Sequence, residues 1–280
     1  MNKRYINNLL EGLQYRFDSI ARNPYHNLKL SRLEVMALKH SNAGKLRQTR
    51  LLNATVYHTD PKEFLFGLKE IFIDKIYEQQ LSESPIIIDC GANIGLSIIY
   101  FKNAYPKASI IAFEPDEKNF ALLQKNIDAF KFDNVILHQS AVWISNDPLK
   151  FSVTGTMGSS IVTQPNGNNT VTVQGFRLKD LITKKIDFLK IDIEGAEYEV
   201  LKDIAPALHW VQNLFIEYHG LFAQNKELIE MLGIIEANGF QFYIKEAASV
   251  YDHPFTMHKV SPNGFDVQLN IFCIRVSAVT

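Results

Sequence analysis

Two short acidic segments carry the residue types best suited to chemistry in this sequence. In DFLKIDIEGAE (187–197), an apolar run reads as a central strand, Asp192 and Glu194 stand at its C-terminal end, and Gly195 allows a turn into a helix. A second apolar strand, read over 213–216, runs into Glu217 and His219 of FIEYHG (215–220). An acid or imidazole at such a place can accept a proton from a reacting hydroxyl, and an unperturbed imidazole titrates near pH ~6.5. His219 or Asp192 is therefore the candidate base, with Glu194 beside the reacting group and Glu217 as an orienting partner. Alternate strand residues share a face, which puts Lys190 next to Asp192. A lysine is costly to bury unpaired, so a Lys190–Asp192 contact is expected, either to compensate charge or to orient the acid.

The stretch IIIDCGANIG (86–95) is what must position these groups. Three β-branched residues run into Asp89, and Gly91, Ala92, Asn93 and Gly95 follow at once. Residues 96–105 are apolar nearly all round and stop at Pro106, as a helix buried against a sheet would. A glycine at a strand-to-helix turn takes φ > 0 and lets a ligand approach the backbone, while the helix start adds unpaired N–H groups, so a nucleotide-like ligand fits here. The dinucleotide fingerprint G-x-G-x-x-G is not met: Asn93 holds the second glycine position and no third glycine follows Gly95.

Further on, an apolar strand (109–113) ends at Glu114, nineteen positions after Gly95. An acid about 20 residues on is where α/β nucleotide folds hold a ribose. Pro115 and Asp116 suit a shaped loop there. The spacing then predicts a helix over 117–130, a strand over 134–139, and an insertion of two short strands (149–154 and 170–176) flanking TGTMGSSIVTQPNGNN, whose Ser159 and Ser160 are weak substrate-contact candidates. A helical turn (178–183), helices over 196–204 and 224–238, and strands over 240–244 and 269–276 follow. No helix separates the last two strands, so that pair is expected to be antiparallel. The loop 249–266, with His253, Phe255 and His258, could close over a pocket but has no metal-ligand spacing, and no metal is assigned.

Residues 1–70 read as a separate, mainly helical cap or substrate region, and 71–280 as the catalytic domain. Tyr5, Ile6, Leu9, Leu10, Leu13, Phe17 and Ile20 recur at helical spacing; 31–43 suggests another helix, 47–58 a short strand, and the stretch from Pro61 a further helix. The 29 basic and 30 acidic residues give no electrostatic case for nucleic acid. Cys90 and Cys273 sit in apolar runs and read as buried thiols, which fits a cytoplasmic protein. No apolar run approaches the ~20 residues of a membrane span, and MNKRYINN does not read as a signal peptide.

The turn Asp89-x-Gly91-x-Asn93-x-Gly95 resembles the first motif of class I S-adenosylmethionine-dependent methyltransferases, with Asn93 replacing the usual middle glycine. Together, IIIDCGANIGLS, IIAFEPD, FLKIDIEGAEYEVL, FIEYHG and QLNIFCIR resemble the FkbM family of that class over roughly residues 70–276. The resemblance implies an α/β fold: a seven-stranded, mostly parallel Rossmann-like sheet with helices between the first six strands and an antiparallel last strand, plus the N-terminal helical region. It implies S-adenosyl-L-methionine as cofactor. Asp89, Gly91, Ala92, Asn93, Gly95 and Ser97 would lie around its amino-acid end, and Glu114 on the ribose. Pro115 and Asp116 would lie near the adenosine, and Gln139, Ser140 and Ala141 by the adenine. The implied acceptor is a hydroxyl on a sugar, glycolipid or other secondary metabolite. A nicotinamide-dependent oxidoreductase and a non-catalytic binding protein are the two rival readings; Asn93 argues against the first.

Overall fold

The structure, a computed structural model, describes residues 23–152, 170–256 and 264–275. The N-terminal apolar pattern over 5–20, Ser159, Ser160 and His258 lie outside the described residues. The chain divides into two compact units, Met1–Glu78 and Gln79–Thr280.

In the first unit, α1 (Arg32–Lys39) starts at a capping box in which the Ser31 hydroxyl accepts from the Glu34 amide and Glu34 accepts from the Ser31 amide. Strands β1 (Arg47–Leu51) and β2 (Ala54–His58) form an antiparallel hairpin where the sequence suggested one short strand. Helix α2 (Pro61–Leu68) is capped by Asp60, carries proline in its first turn, and runs on into a π-helical turn, Lys69–Ile73. His58 stacks on Phe64 at 4.2 Å and meets the Thr49 hydroxyl at 2.9 Å. Burial and the neighbouring Arg47 push its pKa down to about 4, which makes it a neutral core imidazole.

The second unit is built on β3 (Ile86–Cys90), β4 (Ser109–Phe113), β5 (Val135–His138), β9 (Ile186–Ile191), β10 (Val211–Gly220), β11 (Phe240–Glu246) and β12 (Val267–Arg275). Their order in the sheet is β11-β12-β10-β9-β3-β4-β5. The pairs β10/β9, β9/β3, β3/β4 and β4/β5 are parallel, and β12 pairs antiparallel with both β10 and β11. Every residue of β9 is buried, as a central strand covered on both faces requires. Helix α3 (Leu96–Ala104) buries Ile98, Ile99 and Phe101 completely, and α4 (Glu117–Phe130) turns Leu122, Leu123 and Ile127 inward. Helices α5 (Glu197–Ile204) and α6 (Asn225–Ala237) follow β9 and β10. Cys90 and Cys273 are free and buried, and no helix among the described residues is long and apolar enough to cross a membrane.

Two features depart from the expected layout. Between β5 and β9 the described residues form no α-helix: a second sheet of β6 (Ala141–Trp143), β7 (Pro148–Ser152) and β8 (Thr170–Arg177), ordered β6-β8-β7, stands there instead. Strand β10 also continues through Gly220, beyond the end at Ile216 that apolarity suggested, because β12 supplies Asn270 and Gln268 as partners for Glu217 and His219. Non-local pairing overrides the polar composition of that segment.

Candidate active site

Because β3, β4, β9 and β10 run parallel, the turns that follow the first three and the last residues of β10 gather at one end of the sheet. Ligands of open α/β sheets bind at this end.

The turn after β3 is held by its own amides. Gly91 and Ala92 both donate to the Phe113 carbonyl (3.0 and 2.9 Å), Gly95 donates to Ala92 (2.8 Å), and the Asn93 amide donates to Glu114 Oε2 (2.9 Å). The unpaired donors expected here are therefore spent internally; those left are in the first turn of α3, which Gly95 caps without a side chain. Gly91 has φ +90°, and a Cβ there would lie 1.8 Å from the Asp192 carbonyl oxygen, so no other residue fits. Asn93 has φ +48°, a left-handed conformation that asparagine tolerates better than most residues, which accounts for its standing in a glycine position.

Beneath the turn, Asp89 is fully buried. Its Oδ2 accepts a short hydrogen bond from the Ser97 hydroxyl, and its Oδ1 lies 3.1 Å from Lys190 Nζ. Lys190 also reaches Asp192 Oδ2 at 3.1 Å, the contact expected from strand geometry, and donates to the Gly91 carbonyl at 2.7 Å. One ammonium thus ties the glycine turn to the acid after β9. The pairing with Asp89, directly opposite on β3, was not read from the sequence.

Glu114 is buried at the end of β4, where its Oε1 accepts from the Asp116 amide (3.0 Å) and its Oε2 from Asn93. Burial pushes its pKa up to about 7, against the pull of those two backbone hydrogen bonds. Asp116 is used as the cap of α4, accepting from the Lys118 and Asn119 amides, while Pro115 links it to Glu114. Gln139 and Ser140 follow β5, and Ala141 opens β6. The Ser140 hydroxyl is buried and has no hydrogen-bond partner among the described residues. His138 stacks on Phe113 at 4.9 Å and is part of the packing.

The second cluster joins β9 and β10. His219 is buried; its Nδ1 lies 3.2 Å from Glu197 Oε1, and its Nε2 stands 3.6 Å from both Glu194 and Glu217. Glu197, fully buried, was missed by sequence reasoning. It accepts from the Ile193 amide (3.1 Å) and the Gly195 amide (3.0 Å), so it fixes the loop and the imidazole together. Its one sequence signal, an acid in the first turn of a helix, reads as ordinary dipole compensation. Glu194 has φ +57°, and burial pushes its pKa up to about 8, with His219 opposing and Asp192 reinforcing the rise. For His219, burial alone favours the neutral ring, but the hydrogen bond and charge of Glu197, with Glu194 and Asp192, reverse this and raise the pKa to about 10. Phe265 packs over the imidazole at 5.1 Å between ring centres. Ligand atoms of Asp192, Glu194 and His219, the three residues the sequence analysis groups together, all lie within 4.8 Å of one another.

The FkbM methyltransferase domain model matches residues 89–242, which spans both clusters. The chain belongs to the FkbM methyltransferase family. Relatives include Methyltransferase 1 of Beauveria bassiana, 31% identical over 62% of this chain and 82% of that protein. The 31-O-demethyl-FK506 methyltransferase FkbM of Streptomyces tacrolimicus is 24% identical over 67% of this chain and 85% of its own. Hexuronic acid methyltransferase AglP of Haloferax volcanii is 30% identical over 50% of this chain and 59% of its own. Within this FkbM-family chain, the matched segment begins at Asp89 and takes in Lys190, Asp192, Glu194, Glu197 and His219.

Proposed function

We propose that this FkbM-family protein transfers the methyl group of S-adenosylmethionine to a hydroxyl oxygen of a sugar, glycan or other metabolite. The observation that carries the reading is the Lys190 ammonium, which binds the Gly91 carbonyl of the glycine turn and the Asp192 carboxylate at once. It couples a donor-binding turn to a cluster of acids suited to an acceptor. The buried, unpartnered Ser140 hydroxyl and the buried Glu114 carboxylate, each of whose oxygens keeps a free lone pair, fit the adenosine part of the donor. Asp89 and Ser97 brace the turn from beneath, and Gly91, Ala92, Asn93 and Gly95 shape it. The acceptor class is supported by relatives named for 31-O-demethyl-FK506 and for hexuronic acid.

When bound, S-adenosylmethionine supplies a methyl group already activated as a sulfonium; its transfer to a hydroxyl leaves a neutral thioether and releases one proton. Asp192 accepts that proton: its side chain is 24% exposed, enough to pass the proton on to water. His219, enclosed by acids on both ring nitrogens, serves as a donor and anchor. Glu194 and Glu217 orient the acceptor hydroxyl around it. The test is label transfer from methyl-tritiated S-adenosylmethionine to free hexuronates and to 31-O-demethyl-FK506. Label in an alkali-stable ether is the expected result; label in an alkali-labile ester, or on nitrogen, overturns the hydroxyl assignment.

The role given to Glu114 carries its own prediction. A carboxylate accepting two ribose hydroxyls is charge-assisted, at about 1.5–3 kcal/mol per bond, so Glu114→Gln should weaken S-adenosylhomocysteine binding about 10- to 100-fold by calorimetry. Because its pKa lies at about 7, wild-type affinity should rise as pH increases through that value and the acid ionises. Glu114→Gln should show no such rise.

A further inference from the structure

We infer that Asp192, Glu194 and His219 form a divalent-cation site, with Glu217 at its edge, beside the glycine turn. The inference concerns the acid cluster that the methyl-transfer reading also uses, and so rests on that reading for its place in catalysis but not for its existence.

Charge is the first argument. Asp89, Asp192, Glu194, Glu197 and Glu217 surround one ammonium, Lys190, and one imidazole, His219. Asp89 and Glu197 are fully buried; Glu197 spends both oxygens on backbone amides, while Asp89 accepts from Ser97 with Oδ2 and faces Lys190 with Oδ1. Asp192 and Glu194 face the cluster with side chains 24% and 22% exposed, and Glu217 with 19%. The carboxylates of Asp192, Glu194 and Glu217 lie close together at this depth, and a cation among them lowers their mutual repulsion.

The second argument is the imidazole, and it is independent of the acids' number. His219 is 95% buried. Glu197 engages its Nδ1 and also holds the Ile193 and Gly195 amides, which fixes the ring plane, and an ion at Nε2 takes the place of the proton that the surrounding acids otherwise hold there. A carboxylate on one imidazole nitrogen is the usual support for a metal on the other. The remaining nitrogen, Nε2, makes no hydrogen bond among the described residues. It points between the Glu194 and Glu217 carboxylates at 3.6 Å from each, too far for a hydrogen bond.

The spacing fits an ion. Two ligand atoms each about 2.1 Å from a cation stand about 3.0 Å apart when adjacent and about 4.2 Å when opposite. The three donors here lie within 4.8 Å of one another, so a small inward rotation of the two partly exposed carboxylates closes the shell. Two or three carboxylate oxygens with one imidazole suit a hard or borderline ion of the Mg²⁺ and Mn²⁺ class better than a thiophilic one. Three protein ligands leave positions for water or an acceptor hydroxyl. A hydroxyl bound there loses its proton more readily, which lightens the task assigned to Asp192.

The experiment uses the full chain, stripped with a chelator and titrated with Mn²⁺ alone, without donor or acceptor. Free Mn²⁺ is counted by electron paramagnetic resonance, and the bound ion is examined for nitrogen hyperfine coupling. One Mn²⁺ per chain with coupling to one imidazole nitrogen is expected. Glu194→Gln should weaken binding about 100-fold or more and Glu197→Gln about 10- to 100-fold, while Glu83→Gln, an exposed acid paired with Lys107, leaves it unchanged. Circular dichroism and melting curves establish that each variant is folded, and the nitrogen coupling needs no variant at all. Absence of stoichiometric binding, absence of nitrogen coupling, or Mn²⁺ affinity indifferent to both Glu194→Gln and Asp192→Asn overturns the site. Methyl transfer that persists undiminished in chelator overturns the catalytic role given to the ion and leaves the methyltransferase reading intact. Stoichiometric Mn²⁺ binding without transfer to any hydroxyl does the reverse.

Discussion

Lys190→Met should destabilise the protein by about 3–5 kcal/mol, the usual cost of removing one member of a buried ion pair. Lys190 is 3% exposed and Asp89 is fully buried, so water cannot replace the lost ammonium. Three partners lose their cation together: Asp89 at 3.1 Å, Asp192 at 3.1 Å and the Gly91 carbonyl at 2.7 Å. Urea unfolding should show a lower midpoint with an unchanged slope, and the melting temperature should fall by about 10 °C. The companion variant Asp89→Asn separates charge from packing. If the penalty is the uncompensated carboxylate, adding Asp89→Asn to Lys190→Met should restore part of the loss, giving a coupling of about 1–3 kcal/mol in the double-mutant cycle. Strict additivity would mean that Lys190 contributes only its bulk.

The same residue shows where sequence reading stops. The Lys190–Asp192 contact was legible because strand periodicity is local: two positions apart means one face. The Lys190–Asp89 contact was not, because it depends on β9 lying next to β3, a pairing that crosses the whole intervening β4–β8 region. The glycine turn was legible because φ values of +90° and +89° at Gly91 and Gly95 demand residues without a side chain, and such demands leave a mark in the sequence. Strand β10 was cut short at Ile216 because its last four residues are polar or small; only β12, arriving from the far end of the chain, makes them a strand. Glu197 was overlooked for a related reason. Its partner, His219, lies on a different strand, and an acid at a helix start has a sufficient local explanation. Local constraints were readable, whereas contacts made by topology were not.

Asp192→Asn should lower kcat for methyl transfer by about 10²- to 10⁴-fold, the range for loss of a positioned general base. The substitution keeps the shape of the side chain and removes its capacity to hold a proton. Donor affinity should change little, because Glu114 and the amides of the 91–95 turn are fixed by hydrogen bonds that do not involve the Asp192 carboxylate, and Lys190 keeps its contacts with Asp89 and Gly91. A fall in kcat with an almost unchanged Kd for S-adenosylhomocysteine marks an interaction made in the transition state. His219→Gln supplies the contrast. The ring sits between Glu197 at 3.2 Å and the carboxylates of Glu194 and Glu217 at 3.6 Å, so its removal releases three acids at once. It should therefore raise KM for the acceptor as well as lower kcat. If Asp192→Asn retained near-normal kcat while His219→Gln alone abolished it, the proton would leave through the imidazole, and the arrangement of acids around that ring would need a different purpose.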